Sequence, residues 1–246
     1  MKLLAPEIVD KCQAGQFVHL GLNMGSTDPL LRRPFSIYNI NRKNKSIFLL
    51  YRVVGKGTKI MSNLSKGDKV DILGPLGNSF TINPNNKNIL IIGGGMGIAP
   101  LLLLTRKSIN KKINKINVLL GTSDKEELSF FKRDFLKYNI SLRTATLNGS
   151  MGFKGNVVDL WKSLLQKNQL KEIDYIYTCG PEEMMTSIQE IAAKIGIQGE
   201  CSMEKRMGCG IGVCLSCVCE TNKGHKRTCK EGPVFSLNEV IFDEKS

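Results

Sequence analysis

The chain has 246 residues and a formal net charge of +13, with 35 Lys and Arg against 22 Asp and Glu. That length accommodates two domains and a small appendage, and the composition is that of an ordinary globular protein. Scattered lysines with few aromatics between them describe a solvated surface and argue against a nucleic-acid footprint. Part of the excess would suit phosphate-bearing cofactors or an acidic partner. The first ten residues lack the apolar core of a secretory signal. The longest apolar stretch, 89–104, is too short for a membrane span and is broken by four glycines and a proline. A cytoplasmic protein without membrane segments or a disulfide framework is expected.

Residues 1–85 read as short strands separated by turn signals: 16–22, 35–40, 46–54 and 69–73, with one helix near 58–64. Strands without intervening helices predict a small antiparallel β-barrel. Arg32-Arg33-Pro34-Phe35-Ser36 puts cations, a rigid turn, an aromatic and a hydroxyl at a strand entrance. Tyr51-Arg52-Val-Val-Gly55-Lys-Gly57-Thr58 runs through a glycine turn to a helix start, where free N–H groups and the helix dipole favour a phosphate. Each piece alone reads equally well as a surface turn with a helix cap.

Past a polar boundary at 84–88, apolar strands (88–92, 116–120, 140–144, 174–178) alternate with helical stretches (101–108, 126–138, 156–169, 181–195). This alternation predicts an α/β domain over 86–200, a parallel sheet covered by helices on both faces. Gly93-Gly94-Gly95-Met96-Gly97-Ile98-Ala99-Pro100 follows the first strand and would bring backbone N–H groups to a pyrophosphate. Gly121-Thr122-Ser123-Asp124 follows the second strand, where the adenosine ribose would lie. Asp124, Glu126 and Glu127 would repel a 2′-phosphate, which favours NAD(H) over NADP(H). Cys179-Gly180-Pro181 ends the fourth strand, where such sheets bind ligands, or is a buried thiol before a well-capped helix.

Residues 201–246 form a third region, with short strands at 218–221 and 234–237 around Cys229. Cys209, Cys214, Cys217 and Cys229 follow C-x4-C-x2-C-x11-C, the plant-type [2Fe–2S] spacing. Gly208, Gly210 and Gly212 would let the loop fold tightly and aim N–H groups at sulfur. A structural zinc site is the competing reading, though zinc ligands usually come as two short hooks. Cys201 and Cys219 fall outside the spacing and read as packed thiols. Glu204 reads as catalytic or, more simply, as a surface residue beside Lys205 and Arg206; His19 and His225 make no obvious metal pair, and nothing requires His225 to sit near the cysteine loop.

Arg33-Pro-Phe-Ser36, Gly55-Lys-Gly57-Thr58 and the stretch Gly67 to Gly77 resemble the FAD domain of the ferredoxin–NADP⁺ reductase superfamily. The glycine turn matches its G-G-G-x-G-I-A-P form. The resemblance implies that Arg33 binds the FAD pyrophosphate with Gly57 and Thr58, and that Pro34 and Phe35 lie against the isoalloxazine. Ser36 would reach the ring near N5, and Leu50, Tyr51 and Arg52 would line the adenine–ribityl side. Gly94, Gly95, Gly97 and Thr122 would hold NAD(H), with Cys179 and Gly180 beside the nicotinamide. Ser36 and Cys179 are thus the expected catalytic residues. The usual tyrosine of the family is Phe35 here, which keeps the aromatic face.

The whole chain, most specifically Cys201-Ser-Met-Glu-Lys-Arg-Met-Gly-Cys-Gly-Ile-Gly-Val-Cys-Leu-Ser-Cys217, resembles the electron-transfer subunits of B-type, NAD⁺-dependent dihydroorotate dehydrogenases. That implies an FMN-containing catalytic partner, a heterotetramer of two subunits of each kind, and a [2Fe–2S] cluster in the cysteine loop. Electrons would pass from the partner through the cluster and FAD to NAD⁺. Small subunits of NADH-dependent ferredoxin–NADP⁺ oxidoreductase, sulfide dehydrogenase and sulfite reductase share the layout and stand as alternatives. A zinc-dependent nucleic-acid-binding protein is the remote one.

Overall fold

The computed structural model describes residues 1–22, 28–111, 113–170 and 172–242. The N-terminal region comprises β1 (Lys2–Leu4), α1 (Pro6–Val9), β2 (Phe17–Gly21), β3 (Arg33–Asn41), β4 (Ser46–Leu49), α2 (Lys56–Asn63) and β5 (Asp71–Leu76). The barrel expected there takes the form of a five-stranded antiparallel half-barrel, ordered β1-β4-β3-β2-β5. β4 is shorter than the apolar run 46–54 suggests, because residues 50–54 leave the ladder. Leu50, Tyr51, Arg52 and Val54 instead turn towards a cavity.

The second region contains β6 (Asn88–Gly94), α3 (Ala99–Asn110), β7 (Lys115–Thr122), α4 (Lys125–Phe135), β8 (Ser141–Thr146), β9 (Phe153–Lys154), α5 (Val157–Gln166), β10 (Tyr175–Cys179), α6 (Glu182–Lys194) and β11 (Gln198–Ser202). After it come β12 (Val218–Cys219), β13 (Lys226–Arg227) and β14 (Val234–Ser236). The larger sheet runs β14-β11-β10-β6-β7-β8-β9 and is parallel except for β14, which pairs antiparallel with β11. Residue 201, where the third region was expected to start, lies inside β11. The C-terminal segment therefore leaves the sheet and returns to it.

Strand alternation divides the core. Ile89 and Ile91 face α3 and α4, while Leu90 and Ile92 face α5 and α6 beside the buried Trp161. The first of these cores continues into the half-barrel through Val18, Leu20, Ile37 and Ile47, so the two sheets share one apolar interior. Polar ties reinforce the junction. Tyr38 donates its phenol to Asp134 at 2.9 Å, and Arg106 donates to the Ile40 carbonyl at 2.6 Å. No helix of the described residues is long and apolar enough to cross a membrane.

The connection between the sheets is clamped at Thr81, whose N–H donates to the Glu200 carboxylate at 2.8 Å and whose carbonyl accepts the Tyr177 hydroxyl at 2.7 Å. Desolvation by burial outweighs the Thr81 bonds and raises the Glu200 pKa. The folded state then holds this proton more tightly than the unfolded chain. Its contribution to stability falls as pH climbs from the ordinary 4.5 towards the raised value. Glu200→Gln keeps an acceptor for Thr81 and removes the ionisation. Its Tm is expected to exceed that of the wild type at alkaline pH, with the gap closing towards acid pH in a pH series of thermal melts.

Candidate functional site

A cavity of about 850 Å³ opens between the half-barrel, the glycine turn and the segment after β11. Arg33, Pro34, Phe35 and Ser36 from β3 line it, together with Leu50, Tyr51, Arg52 and Thr58. The Phe35 and Tyr51 rings meet edge to face, with centroids 6.0 Å apart, which gives the cavity an aromatic wall. Gly57 sits at the start of α2, where an added Cβ would come within 3.2 Å of Leu22 and 3.4 Å of Arg33. The Thr58 hydroxyl is committed to its own turn, accepting from Val54 N at 2.9 Å and Gly55 N at 3.1 Å. What Thr58 can offer a phosphate is therefore its backbone position at a helix start.

The glycine turn separates this cavity from a second one. Met96 and Ala99 face the first, whereas Gly94 and Gly95 line the second, of about 470 Å³, together with Thr122. Gly97 packs directly on Gly180, and a Cβ on it would lie 2.5 Å from Gly180 Cα and N. Gly180 is as confined, with Met184 Cε 2.5 Å from an added Cβ. Cys179 is brought to this junction through its backbone. Its thiol is 1% exposed, lies in the apolar core and lines neither cavity. Burial first, and the nearby Glu204 second, raise its pKa, so it stays a neutral thiol.

Of the acidic residues expected to repel a 2′-phosphate, Asp124 and Glu127 are engaged locally and Glu126 is exposed. Asp124 is the N-cap of α4, accepting from Glu127 N at 2.9 Å, and Glu127 pairs with Arg52. The second cavity is lined instead by Asp159, Glu183, Asn156 and Lys162, none of which the sequence singled out. They sit on α5 and α6, more than thirty positions from the glycine turn, and only the parallel crossovers bring them to it.

In the cysteine loop, Gly210 and Gly212 adopt left-handed φ values of +73° and +84°, so successive N–H groups turn inward. Cys209 Sγ accepts from Ile211 N, Val213 N and Cys214 N at 3.3–3.5 Å. Cys209 N in turn donates to Cys214 Sγ at 3.4 Å, and Cys229 N to Cys217 Sγ at 3.4 Å. These backbone donors lower the Cys209 thiol to about 6, Cys214 N leading. The four cysteines thus fall into two pairs, 209 with 214 and 217 with 229. Cys214 is exposed and Cys209 partly so, while Cys217 and Cys229 are buried. Among the described residues no three metal-ligating side chains converge as a single ion would require. A [2Fe–2S] cluster takes two thiolates on each iron, which is how the spacing and the N–H bonds group these four.

The same segment supplies the residues that sequence reasoning missed. Met203, Glu204, Lys205, Arg206 and Met207 all line the larger cavity. Glu204 is exposed, as a surface residue is, and it also lines the cavity. The protein around it raises its pKa by desolvation. Lys205 ties the segment to the start of α6 through Glu182 at 2.7 Å. Run length offered a signal here, since Cys201-Ser-Met-Glu-Lys-Arg-Met207 has to lead from a sheet edge to the loop. Cys201 and Cys219 lie in the apolar core and His225 is exposed.

Comparison with known proteins follows this geometry. Residues 204–241 match the family model for the iron-sulfur cluster binding domain of dihydroorotate dehydrogenase B, and residues 91–190 match the oxidoreductase NAD-binding domain. The dihydroorotate dehydrogenase B (NAD⁺) electron transfer subunit of Desulforamulus reducens is 40% identical, aligned over 99% of this chain and 92% of its own. The chain belongs to this family. The electron transfer subunit of Listeria innocua is also 40% identical, over 97% of this chain and 91% of its own. Among solved structures, a chain of an NADH-dependent reduced ferredoxin–NADP oxidoreductase superposes with a TM-score of 0.85. It is 29% identical and covers 99% of this chain and 84% of its own. A ferredoxin reductase of carbazole 1,9a-dioxygenase, at 21% identity and TM-score 0.63, shares the fold over 80% of this chain and 60% of its own.

The residues present fit the groups this family implies. The N–H donors and thiol pairs suit a [2Fe–2S] cluster, the aromatic and arginine wall suits a flavin, and Gly94 and Gly95 leave backbone open to the second cavity, as a dinucleotide needs, while Gly97 and Gly180 line neither cavity.

Proposed function

We propose that this chain is the electron-transfer subunit of an NAD⁺-dependent dihydroorotate dehydrogenase, receiving electrons from the FMN of a catalytic partner and delivering them to NAD⁺. The observation that carries this reading is the order of the three sites. Met207, which leads into the cysteine loop, lines the larger cavity, and so do Met96 and Ala99 of the glycine turn. Bound there, FAD would supply hydride chemistry towards the nicotinamide and one-electron chemistry towards the cluster.

The chain's own residues orient and insulate. Arg33, with the backbone of Gly57 and Thr58, holds the pyrophosphate, while Pro34 and Phe35 support the ring. Leu50, Tyr51 and Arg52 cover the ribityl side. Ser36 presents its hydroxyl to the reacting edge. Gly94, Gly95, Gly97 and Thr122 receive the dinucleotide. Gly180 leaves room for the nicotinamide, and Cys179 packs beneath it to fix the turn. Cys209, Cys214, Cys217 and Cys229 ligate the cluster. In this reading, residues 1–85 serve the flavin, 86–200 the dinucleotide and 201–246 the cluster.

Ile211, Val213 and Leu215 are exposed around the outer cysteine pair, at 50%, 75% and 61%. They suit burial under the partner subunit in a complex of two copies of each chain. Reconstitution with an FMN-containing dihydroorotate dehydrogenase subunit is expected to yield dihydroorotate-dependent NAD⁺ reduction, absent from either chain alone. Co-purification with a large iron–sulfur flavoprotein and no such activity would move the assignment to the ferredoxin–NADP oxidoreductase type, which the 0.85 superposition keeps as the second reading.

A further inference from the structure

Strand β2 separates the larger cavity from the cysteine loop, and its two faces do different work. Val18 and Leu20 enter the half-barrel core. Phe17 and His19 alternate to the other face. Phe17 is 3% exposed and forms one buried apolar cluster with Cys217 and Cys229, against which Leu76 and Met207 pack. It also lines the cavity, along with Met207. In the β2–β3 register it stands directly opposite Ser36, the residue assigned to the reacting edge of the flavin. His19, two positions along, is fully buried under Gly210, with the backbone of Cys209 and Arg32 beside its ring.

We infer that Phe17 is the contact through which electrons cross between the cluster and the flavin. The proposal rests on the function reading above and names this chain's own bridging residue. Among the described residues, it alone of the cavity wall belongs to the buried cluster with the inner cysteines, where Met207 and Leu76 are only partly buried neighbours. The step transfers one electron. In the direction from NADH, the flavin gains a hydride, then gives one electron to a ferric iron, which becomes ferrous. No covalent bond changes in that second step, and any proton leaves to solvent. A densely packed ring carries such a transfer better than the void its removal leaves. His19 supports the same geometry by seating the loop on the strand that carries Phe17.

The test uses the full chain with its cofactors bound, mixed anaerobically with NADH while flavin and cluster absorbances are followed separately. Phe17→Leu and Phe17→Ala are expected to lower the rate of the cluster phase relative to the flavin phase several-fold, and Phe17→Tyr to restore the ratio. Iron content and the magnetic coupling between the two centres, read on the same samples, report whether the cluster is present and at what distance. Fully loaded Leu and Ala variants with an undiminished ratio would overturn the inference. So would variants that shed the cluster while their loaded fraction transfers at the wild-type ratio, since Phe17 would then be an anchor only. A wild-type protein lacking flavin and iron–sulfur absorption would instead overturn the function reading, and this inference with it.

Discussion

Replacing Cys217 with serine is expected to reduce dihydroorotate-driven NAD⁺ reduction by the assembled complex to background, while bleaching of the flavin by NADH persists as a separate phase. Cys217 belongs to the inner pair. It is 2% exposed, and its sulfur accepts the Cys229 N–H at 3.4 Å. A serine oxygen is a poor ligand for iron that thiolates hold. The loop has further anchors, since Thr228 N donates to the Cys217 carbonyl at 2.9 Å and Arg227 donates to the Gly212 carbonyl at 2.7 Å. The polypeptide should therefore fold without the cluster. The check pairs iron analysis with two assays, one that needs the partner and one that needs only NADH and the flavin. Equal loss in both assays would mean that the cysteine loop serves the flavin site as well as the partner.

Gly97→Ala is expected to impair the other end of the relay. The new methyl group would stand 2.5 Å from backbone atoms of Gly180, which no rotamer change can relieve. The glycine turn or the β10–α6 junction has to shift, at a cost of about 1–3 kcal/mol in folding stability, as for overpacked cores. The functional loss should be of comparable size. A shift of about 1 Å between the nicotinamide and flavin positions costs about a hundredfold in rate. Stopped-flow reduction of the flavin by NADH measures it directly. A slowed flavin phase with an intact flavin spectrum is the expected outcome, and an unchanged rate would show that the Gly97–Gly180 contact is not part of the dinucleotide path.

Much of the architecture was legible because period and punctuation agreed. Four of the six parallel strands and the helices between them fell close to their observed limits, since apolar runs bounded by glycine and polar turns leave few alternatives, while β9 and β11 went unread. That the four cysteines pair within one segment was legible from spacing, and that Arg33 to Ser36 share a wall from motif, their roles belonging to the proposed function. Three things were not. β4 stops at Leu49 although the apolar run continues, because residues 50–54 line a cavity that only the folded chain creates. The direction of the Cys179 side chain was not legible, since its strand position turns the thiol into the core and its backbone to the turn. Glu204 and Met207 reach the cavity because β11 ends at its rim, a property of sheet order that no local pattern encodes.

The pairing of β14 with β11 has a wider consequence. Residues between Ser202 and Val234 leave one strand and come back to the adjacent one, closed at the neck by Met203 N donating to the Pro233 carbonyl at 2.8 Å. In topology this is a cassette inserted between two neighbouring strands, and its outgoing strand seals the rim of the sheet. A chain cut after Ser202 would lose more than its iron–sulfur port. It would leave β11 as a bare edge, open to pairing with another molecule. The cassette can thus diverge to meet new partners, but the fold keeps it.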